Sequence, residues 1–253
     1  MSIYYQDDHV TLHLGSWMEE IDSEFVADLI VTDPPYGETS LTWDRWPDGW
    51  PGLAARHARS MWCFGSMRMF LKRYHEFTHY QFGEAWKLSQ DIVWEKHNGS
   101  GFATDRFKRV HEFATHWYQG DWATIHHETP RVPGGDGTSS VKRRESPAHT
   151  GAIGGAEYVD DGMRLTRSVI KARSMHQKAI NETEKPVGIL EPLIAYGCPP
   201  GGMVLDLFAG SGSTLVAARN LGRKAIGYEL REEQAELTAQ RLSQGVLDFG
   251  GVQ

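Results

Sequence analysis

Short runs of apolar residues recur along the chain, and each ends at a polar residue, a glycine or a proline. Runs of this length, separated by helix-length segments, are typical of a mostly parallel sheet that helices cover on both faces. Ligands of such sheets bind beyond the carboxyl ends of the strands, so we expect Asp33, Asp206 and Glu229 to converge at one edge. The predicted strands comprise residues 11–14, 29–33, 61–65, 91–95, 203–207 and 224–228.

Helical segments are predicted between these strands, and each has a recognisable start or stop signal. Gly197 and Gly222 both follow apolar segments at positions where a helix commonly ends in a left-handed residue. The pattern therefore predicts one α/β domain over residues 1–253. The predicted helices comprise residues 51–59, 67–78, 186–196, 213–221 and 232–244.

The composition is that of a globular protein, with 40% hydrophobic and 23% charged residues among 253. The longest apolar runs have the length of strands, so no membrane span is expected, and the first residues do not resemble a signal peptide. Two cysteines, Cys63 and Cys198, cannot build a disulfide framework, and the expected location is the cytoplasm. The histidine pairs 75/79 and 126/127 lack a carboxylate or cysteine to complete a metal site, so no metal is expected.

Residues 121–177 interrupt the regular pattern with a segment rich in Gly, Ser, Thr, Pro and Arg. Between positions 131 and 178 nine Lys and Arg oppose five Asp and Glu, which gives a local charge of +4 in a chain of net charge −7. The net charge argues against a protein that coats nucleic acid without specificity. The basic insertion is either a nucleic-acid contact or a solvated loop.

A glycine-rich loop joins the predicted strand 203–207 to the helix that follows it, with the sequence Phe208-Ala209-Gly210-Ser211-Gly212-Ser213-Thr214. Such a loop brings backbone N–H groups and a helix N-terminus to an anion, and Glu229 at the end of the next strand can accept bonds from ribose hydroxyls. The loop lacks the Gly-Lys-Ser/Thr of a phosphate-binding loop and the third glycine of a dinucleotide fingerprint. The anion can instead be an amino-acid carboxylate, as in S-adenosylmethionine, and a plain strand-to-helix turn stays open as an alternative.

The second motif is Asp33-Pro34-Pro35-Tyr36, at the end of the predicted strand 29–33. Two prolines fix φ and remove two donors, so the Asp33 carboxylate, the Pro34 carbonyl and the Tyr36 ring form a rigid group. Two acceptors beside an aromatic face suit a planar ring that carries an amino group, such as a base flipped out of a duplex. A proline-rich turn with an incidental tyrosine is the competing interpretation.

Taken together, the two motifs resemble the amino-methylating DNA methyltransferases. In that family an Asp-Pro-Pro-Tyr motif is the catalytic loop, and a Phe-x-Gly-x-Gly motif binds S-adenosylmethionine. The catalytic motif comes first here, which is the circularly permuted order of the β class, with the target-reading segment between the motifs. The segments around His111-Glu112-Phe113 and Thr183-Glu184-Lys185-Pro186 also resemble the family, so that the likeness covers residues 11–117 and 181–242.

The resemblance implies a Rossmann-like methyltransferase fold, double-stranded DNA as the partner and a homodimer. It implies that the target amine is held by Asp33, Pro34, Pro35 and Tyr36. It makes residues 121–177 the target-recognition region. The residues that it assigns to the cofactor are Asp206, Phe208, Ala209, Gly210, Ser211, Gly212, Ser213, Thr214, Glu229, Lys185 and Thr183.

One position departs from the family pattern. Members commonly carry Leu-x-x-Gly-Asp before the catalytic strand, whereas this chain has Ser16 after Gly15, which places no charge near the target base. Adenine N6 is the expected methyl acceptor, because family members that methylate cytosine N4 more often carry Ser in place of Asp33. The rival hypotheses are cytosine N4 methylation, a nicotinamide-dependent oxidoreductase that uses Gly210–Glu229, an inactive DNA-binding homologue, and an RNA or protein amine as substrate.

Overall fold

The computed structural model describes residues 3–79, 85–100, 104–134, 161–173 and 184–244. Each predicted strand and helix has a counterpart among them. The strands are β1 (Ile3–Gln6), β2 (Val10–Leu14), β3 (Leu29–Thr32), β4 (Ser60–Gly65), β5 (Lys87–Ser100), β6 (Arg109–Tyr118), β7 (Arg131–Pro133), β8 (Met163–Leu165), β9 (Val169–Lys171), β10 (Met203–Asp206) and β11 (Lys224–Glu229). The helices are α1 (Trp17–Glu20), α2 (Trp50–Ala54), α3 (Met67–Thr78), α4 (Val187–Gly197), α5 (Ser213–Asn220) and α6 (Glu232–Ser243).

Five parallel strands form the middle of the sheet, in the order β2-β11-β10-β3-β4. The residues of β3 and β4 are buried throughout, which explains why these strands are continuous apolar runs rather than alternating patterns. Because the five strands are parallel, Asp33, Asp206 and Glu229 come to the same edge of the sheet, as the sequence predicts.

Antiparallel strands extend this parallel core on both sides. β1 pairs with β2, and β6 joins β4 and forms a long hairpin with β5, to which β9 adds in parallel. Only residues 91–95 of this hairpin were predicted as a strand, because β6 is exposed at its start and buried only in its second half, so it lacks a continuous apolar run. The sheet is therefore mixed, with a parallel centre.

The helices lie on both faces of the sheet, which the alternation of side chains along the strands shows. Leu29 and Val31 belong to one apolar cluster with residues of α4, α5 and α6, whereas Ile30 between them belongs to a second cluster with residues of α2 and α3. Successive side chains of a strand point to opposite faces, so each cluster covers one face. The predicted helix 51–59 is shorter in the structure and ends at Ala54.

The chain divides into two compact units, one of residues 1–128 with 168–253 and one of residues 129–167. The described part of the second unit is an antiparallel pair of β7 and β8, in which Arg131 is ion-paired with Asp161 at 2.5 Å. Among the described residues no helix is both long and apolar enough to span a membrane.

Candidate active site

A cleft of about 430 Å³ opens at the carboxyl edge of the parallel strands. It joins the two sequence motifs, which lie more than 170 positions apart, because β3 and β10 are neighbours in the sheet. Thr183 lies outside the described residues. Of the residues predicted to form the site, those that line the cleft are Asp33, Pro35, Lys185, Asp206, Phe208, Ala209, Gly210, Ser211, Ser213, Thr214 and Glu229.

The glycine-rich loop turns sharply from β10 into α5. Gly210 and Gly212 have φ values of +50° and +70°, a conformation that favours glycine over other residues. Gly212 is also crowded, since a Cβ there would lie 2.5 Å from Cγ2 of Thr238 in α6. Thr238 donates its hydroxyl to the Gly210 carbonyl at 2.6 Å, so α6 packs directly on the loop. Among the described residues, no side chain caps the N-terminus of α5. The backbone N–H groups of this helix end can therefore bind an anionic ligand.

Glu229 faces the same loop from the end of β11. Its Oε2 accepts the Gly210 N–H at 2.9 Å, and its Oε1 accepts the backbone N–H of Arg231 at 2.9 Å and the Nε–H of the same arginine at 3.2 Å. A carboxylate offers about four acceptor positions, so Glu229 retains capacity for a ribose hydroxyl while it supports the loop. Arg231 also stacks over Trp43 at 5.0 Å, and both line the cleft.

Asp206 lies buried between the two motifs. Burial raises the pKa of its carboxyl to about 7, against hydrogen bonds from Thr214, Phe208 and Thr32 that favour the ionised form. Thr32 immediately precedes Asp33, and its hydroxyl donates to Asp206 at 3.2 Å. This bond connects the end of β3 to the start of the glycine-rich loop.

Two residues to which the sequence assigned no role in the site, Arg241 and Glu184, support the glycine-rich loop from outside. Arg241 of α6 donates to the Ser211 carbonyl and the Ser213 hydroxyl, both at 3.1 Å, and to Glu184 at 2.8 Å. Glu184 is buried and directly precedes Lys185. Arg241 stands in an ordinary amphipathic helix without a motif, so no local signal marks it.

In the Asp33-Pro34-Pro35-Tyr36 motif, the carboxylate of Asp33 is held from two sides. The Tyr36 hydroxyl donates to Asp33 Oδ1 at 2.6 Å, and the ammonium of Lys185 donates to Asp33 Oδ2. Lys185 is buried, and it also contacts Glu112 at 3.4 Å. Glu112 in turn is ion-paired with Lys96 of β5. The resemblance placed Lys185 near the cofactor, and the structure shows in addition that it connects Asp33 to the β5–β6 hairpin.

Burial and neighbouring charges shift the pKa values of Asp33, Glu112 and Tyr36. Burial raises the pKa of Asp33, and Lys185 opposes that rise. Burial also acts against ionisation of Glu112, but Lys185 and Lys96 outweigh it and lower the pKa of Glu112 to about 2. Burial and the neighbouring Asp33 raise the pKa of Tyr36 well above its usual range, so its hydroxyl stays a donor.

The segment after the catalytic motif is folded onto the protein. Asp44 accepts hydrogen bonds from the backbone N–H groups of Gly37, Glu38 and Thr39 at 2.7 to 3.0 Å, which closes the chain into a tight loop. Trp46 and the fully buried Trp50 belong to the apolar cluster beside α3. These two tryptophans therefore serve as core residues here.

Ser16, which stands where family members commonly have Asp, also lines the cleft. Cys63 and Cys198 are buried, and burial raises the pKa of both thiols, that of Cys198 to about 12. Neither thiol is therefore prepared as a nucleophile. Within the described ranges, no group of three His, Cys, Asp or Glu side chains is placed to hold a metal ion.

The family model N6_N4_Mtase, described as DNA methylase, matches residues 27–240. The chain belongs to this family. Both motifs fall within the matched segment, and of the residues that line the cleft only Gly15, Ser16, Trp17 and Met18 lie outside it.

Relatives of this N6/N4 methylase include type II methyltransferases. M1.MboII of Moraxella bovis is 24% identical over 243 residues, covering 86% of this chain and 89% of that protein. M.SmaI of Serratia marcescens is 28% identical over 165 residues, covering 63% of this chain and 47% of its own length. YubD of Escherichia coli (strain K12) is 54% identical over 61 residues, which make up 24% of this chain and 27% of YubD.

Two solved structures share the fold. The crystal structure of the M1.HpyAVI–SAM complex has a TM-score of 0.61 at 20% identity and covers 92% of this chain and 99% of that one. The cytosine-N4-specific PvuII DNA methyltransferase has a TM-score of 0.62 at 15% identity and covers 99% of this chain and 91% of that one. These likenesses confirm the predicted Rossmann-like methyltransferase fold.

Proposed function

We propose that this chain is a DNA methyltransferase that transfers a methyl group from S-adenosylmethionine to N6 of adenine in double-stranded DNA. The observation that carries the proposal is the meeting of Asp33 and the glycine-rich loop in one cleft. A cofactor loop alone would suit several nucleotide ligands, but a partly buried acceptor carboxylate beside it suits the activation of an amine. A nicotinamide-dependent enzyme would have no use for Asp33 in this place.

S-adenosylmethionine is the cofactor, and the residues of the cleft fit it. The N-terminus of α5 suits the carboxylate of its methionine part, and Glu229 suits a ribose hydroxyl. The bound cofactor supplies an electrophilic methyl group on a sulfonium. Arg241 and Thr238 hold the loop in shape from α6, so the cleft is preorganised for this ligand.

Asp33 and the Pro34 carbonyl are the acceptors for the two hydrogens of the target amine. The nitrogen lone pair of adenine N6 is delocalised into the ring. When Asp33 and the Pro34 carbonyl accept hydrogen bonds from both N–H groups, the lone pair is directed out of the ring plane, towards the methyl group. Lys185 favours the ionised form of Asp33, and Tyr36 orients the carboxylate. The protein contributes mainly positioning and electrostatic stabilisation, and no covalent intermediate is needed.

Adenine is preferred to cytosine because the catalytic loop carries Asp33, whereas family members that act on cytosine N4 more often have Ser there. Residues 121–177 are the proposed target-recognition region, and the local charge of +4 between positions 131 and 178 suits a nucleic-acid contact. Asp33 and Pro34 are the groups that bind the target amine. The absence of a charge at Ser16 therefore affects how tightly the base is bound rather than the class of reaction.

The test measures methyl transfer from labelled S-adenosylmethionine to unmethylated duplex DNA, followed by mass spectrometry of the nucleosides. Asp33→Asn keeps the shape of the side chain and is expected to lower the rate at least about 100-fold, with cofactor binding retained. Asp8→Asn, an exposed residue in the turn after β1, is the matched control. N4-methylcytosine as the product would keep the mechanism and correct the base, and an Asp33→Asn variant with full activity would overturn the proposal.

A further inference from the structure

Residues 104–109, here called the tip of the β5–β6 hairpin, carry an unusual combination of side chains. Phe107 is 101% exposed, the highest value among the large apolar residues that the structure describes. Arg106, Lys108 and Arg109 beside it are exposed as well. A single exposed apolar side chain is common on protein surfaces, so the surroundings decide what it means. Here an aromatic ring stands among three cations in a chain of net charge −7.

The register of the sheet places this tip at the edge where the cleft opens. Gly65, the last residue of β4, pairs with Phe113, and Arg109 lies four residues before Phe113, at the start of β6. At about 3.4 Å per residue, Arg109 extends about 14 Å beyond the end of β4. β6 is two strands away from β3, which is about 10 Å across the sheet. The tip therefore stands within one turn of B-DNA, about 34 Å, of Asp33.

The strands that carry the tip are closely packed there. A Cβ at Gly99 would lie 2.2 Å from the Arg109 carbonyl oxygen, so only glycine allows β5 to approach β6 this closely. Between the pairs Glu95–His111 and Ser100–Arg109, four residues of β5 face one of β6, an irregularity of the kind that bends a strand. One residue before Phe113, Glu112 contacts Lys185, so the hairpin that bears the tip also reaches the catalytic carboxylate.

The charges at the tip are available to a partner. Residues 104–109 contain Asp105 and three cations, which gives a local charge of 3 − 1 = +2. Arg106 is paired with Asp105, but both side chains are about two-thirds exposed, and such surface pairs exchange readily for another anion. A phosphate backbone is the partner whose charge complements this tip.

We propose that residues 104–109 bind duplex DNA beside the target base, with the basic side chains on phosphates and the Phe107 ring stacked on a base. This inference rests on the proposed function, since it takes DNA as the substrate. It adds a contact in the first compact unit, outside the insertion at 121–177. An aromatic ring can stack on any base, so Phe107 would contribute affinity rather than sequence preference. The ring is also suited to fill the base stack when the target base leaves it.

The experiment measures the Kd for labelled duplex DNA by fluorescence anisotropy at several salt concentrations, with the full chain. Phe107→Ala is expected to weaken binding about tenfold or more, whereas Phe107→Trp, which keeps an aromatic ring, is expected to bind as tightly as the wild-type protein. The double variant Lys108→Gln/Arg109→Gln is expected to reduce the slope of log Kd against log salt by up to about 1.8, or 0.9 per phosphate contact.

Matched controls exist at the opposite edge of the sheet. Leu88 is an exposed apolar residue at the other end of the same hairpin, and Arg56 and Arg59 are exposed just before β4. Leu88→Ala and Arg56→Gln/Arg59→Gln are expected to leave both the Kd and the salt slope unchanged. Thermal unfolding of each variant checks that the exposed substitutions do not disturb the fold.

The outcomes separate this inference from the proposed function. If the wild-type protein binds and methylates duplex DNA while Phe107→Ala and the double variant match it in Kd and salt slope, the hairpin contact is wrong and the function stands. If the control variants weaken binding as much as the tip variants, the effect is not located at the tip and the inference is again overturned. If the wild-type protein neither binds nor methylates duplex DNA, both proposals fall.

Discussion

The two loops that border the cleft are stabilised in different ways. In the catalytic loop, Asp33 depends on charges that come from distant parts of the chain, with Lys185 buried against it and Glu112 behind. In the glycine-rich loop the backbone itself makes the site, through positive φ at Gly210 and Gly212 and close packing against α6. The first loop is thus sensitive to a change of charge, and the second to a change of shape.

The strongest test of this difference is Lys185→Met, which leaves Asp33 and Glu112 near each other without the buried cation that they share. Removing one partner of a buried ion pair costs about 3–5 kcal/mol, so the free energy of unfolding should fall by that amount. The pKa of Asp33, which burial already raises, should rise further, and the acidic limb of the methylation rate should move to higher pH.

Chemical denaturation and a pH–rate profile measure both effects of Lys185→Met. Lys224→Met, at an exposed position at the start of β11, is the control for the loss of a lysine in general. Equal stability of Lys185→Met and Lys224→Met at neutral pH would contradict the view that charge holds the catalytic loop.

Asp206 lies where the two loops meet, and its titration gives the next largest effect. Its pKa is raised from 3.8 to about 7 by burial, so its contribution to stability is fully present below pH 3.8 and is lost as the pH rises through 7. Across that window the loss amounts to roughly 4 kcal/mol, at about 1.4 kcal/mol per pH unit.

Asp206→Asn should abolish this share of the pH dependence. As the pH increases from about 4 to 7, the wild-type protein should lose this stabilisation and the variant should not. The unfolding free energy of the variant should therefore rise relative to that of the wild-type protein over this range. Denaturation curves at several pH values measure it, with Asp8→Asn as the control. A difference that stays constant with pH would show that Asp206 is not titrating in this window.

Gly212→Ala tests the shape of the glycine-rich loop. A left-handed conformation costs an alanine about 1–2 kcal/mol, and here the added Cβ also meets Thr238. Gly222 has nearly the same φ, +67°, but nothing lies within 4 Å of its Cβ position. Both alanine variants should lose similar stability from the backbone, but only Gly212→Ala should weaken S-adenosylmethionine binding, by about tenfold, as measured by calorimetry. Equal affinity in the two variants would exclude a role for crowding at Gly212.

The same contrast explains what could be predicted from the sequence. The strands β3, β10 and β11 and the helix α3 follow from local apolar patterns, and the glycine-rich loop follows from residues that are consecutive in the chain. The convergence of Asp33, Asp206 and Glu229 follows from the parallel order of the strands. Each of these predictions needs only neighbouring residues and a rule about sheets.

The charge network of the catalytic loop could not be predicted in this way. Lys185 is 152 positions from Asp33, and Glu112 and Lys96 reach it through an antiparallel hairpin of which only part was predicted. Arg241 supports the glycine-rich loop through the packing of α6, which no local pattern specifies. A homodimer, the cytoplasmic location and the role of residues 121–177 stay predictions.

The smallest expected effect separates charge from orientation within the catalytic loop itself. Tyr36→Phe keeps the half-buried ring but removes the hydroxyl that donates to Asp33 Oδ1 at 2.6 Å. A hydrogen bond to a charged group contributes about 1.5–3 kcal/mol, and Lys185 continues to hold the other oxygen, so we expect the lower end, about a tenfold loss of kcat. Because the ring itself is unchanged, KM for DNA should stay within about twofold. If KM rises while kcat is retained, Tyr36 acts through its contact with the base, and Lys185 alone is enough to orient Asp33.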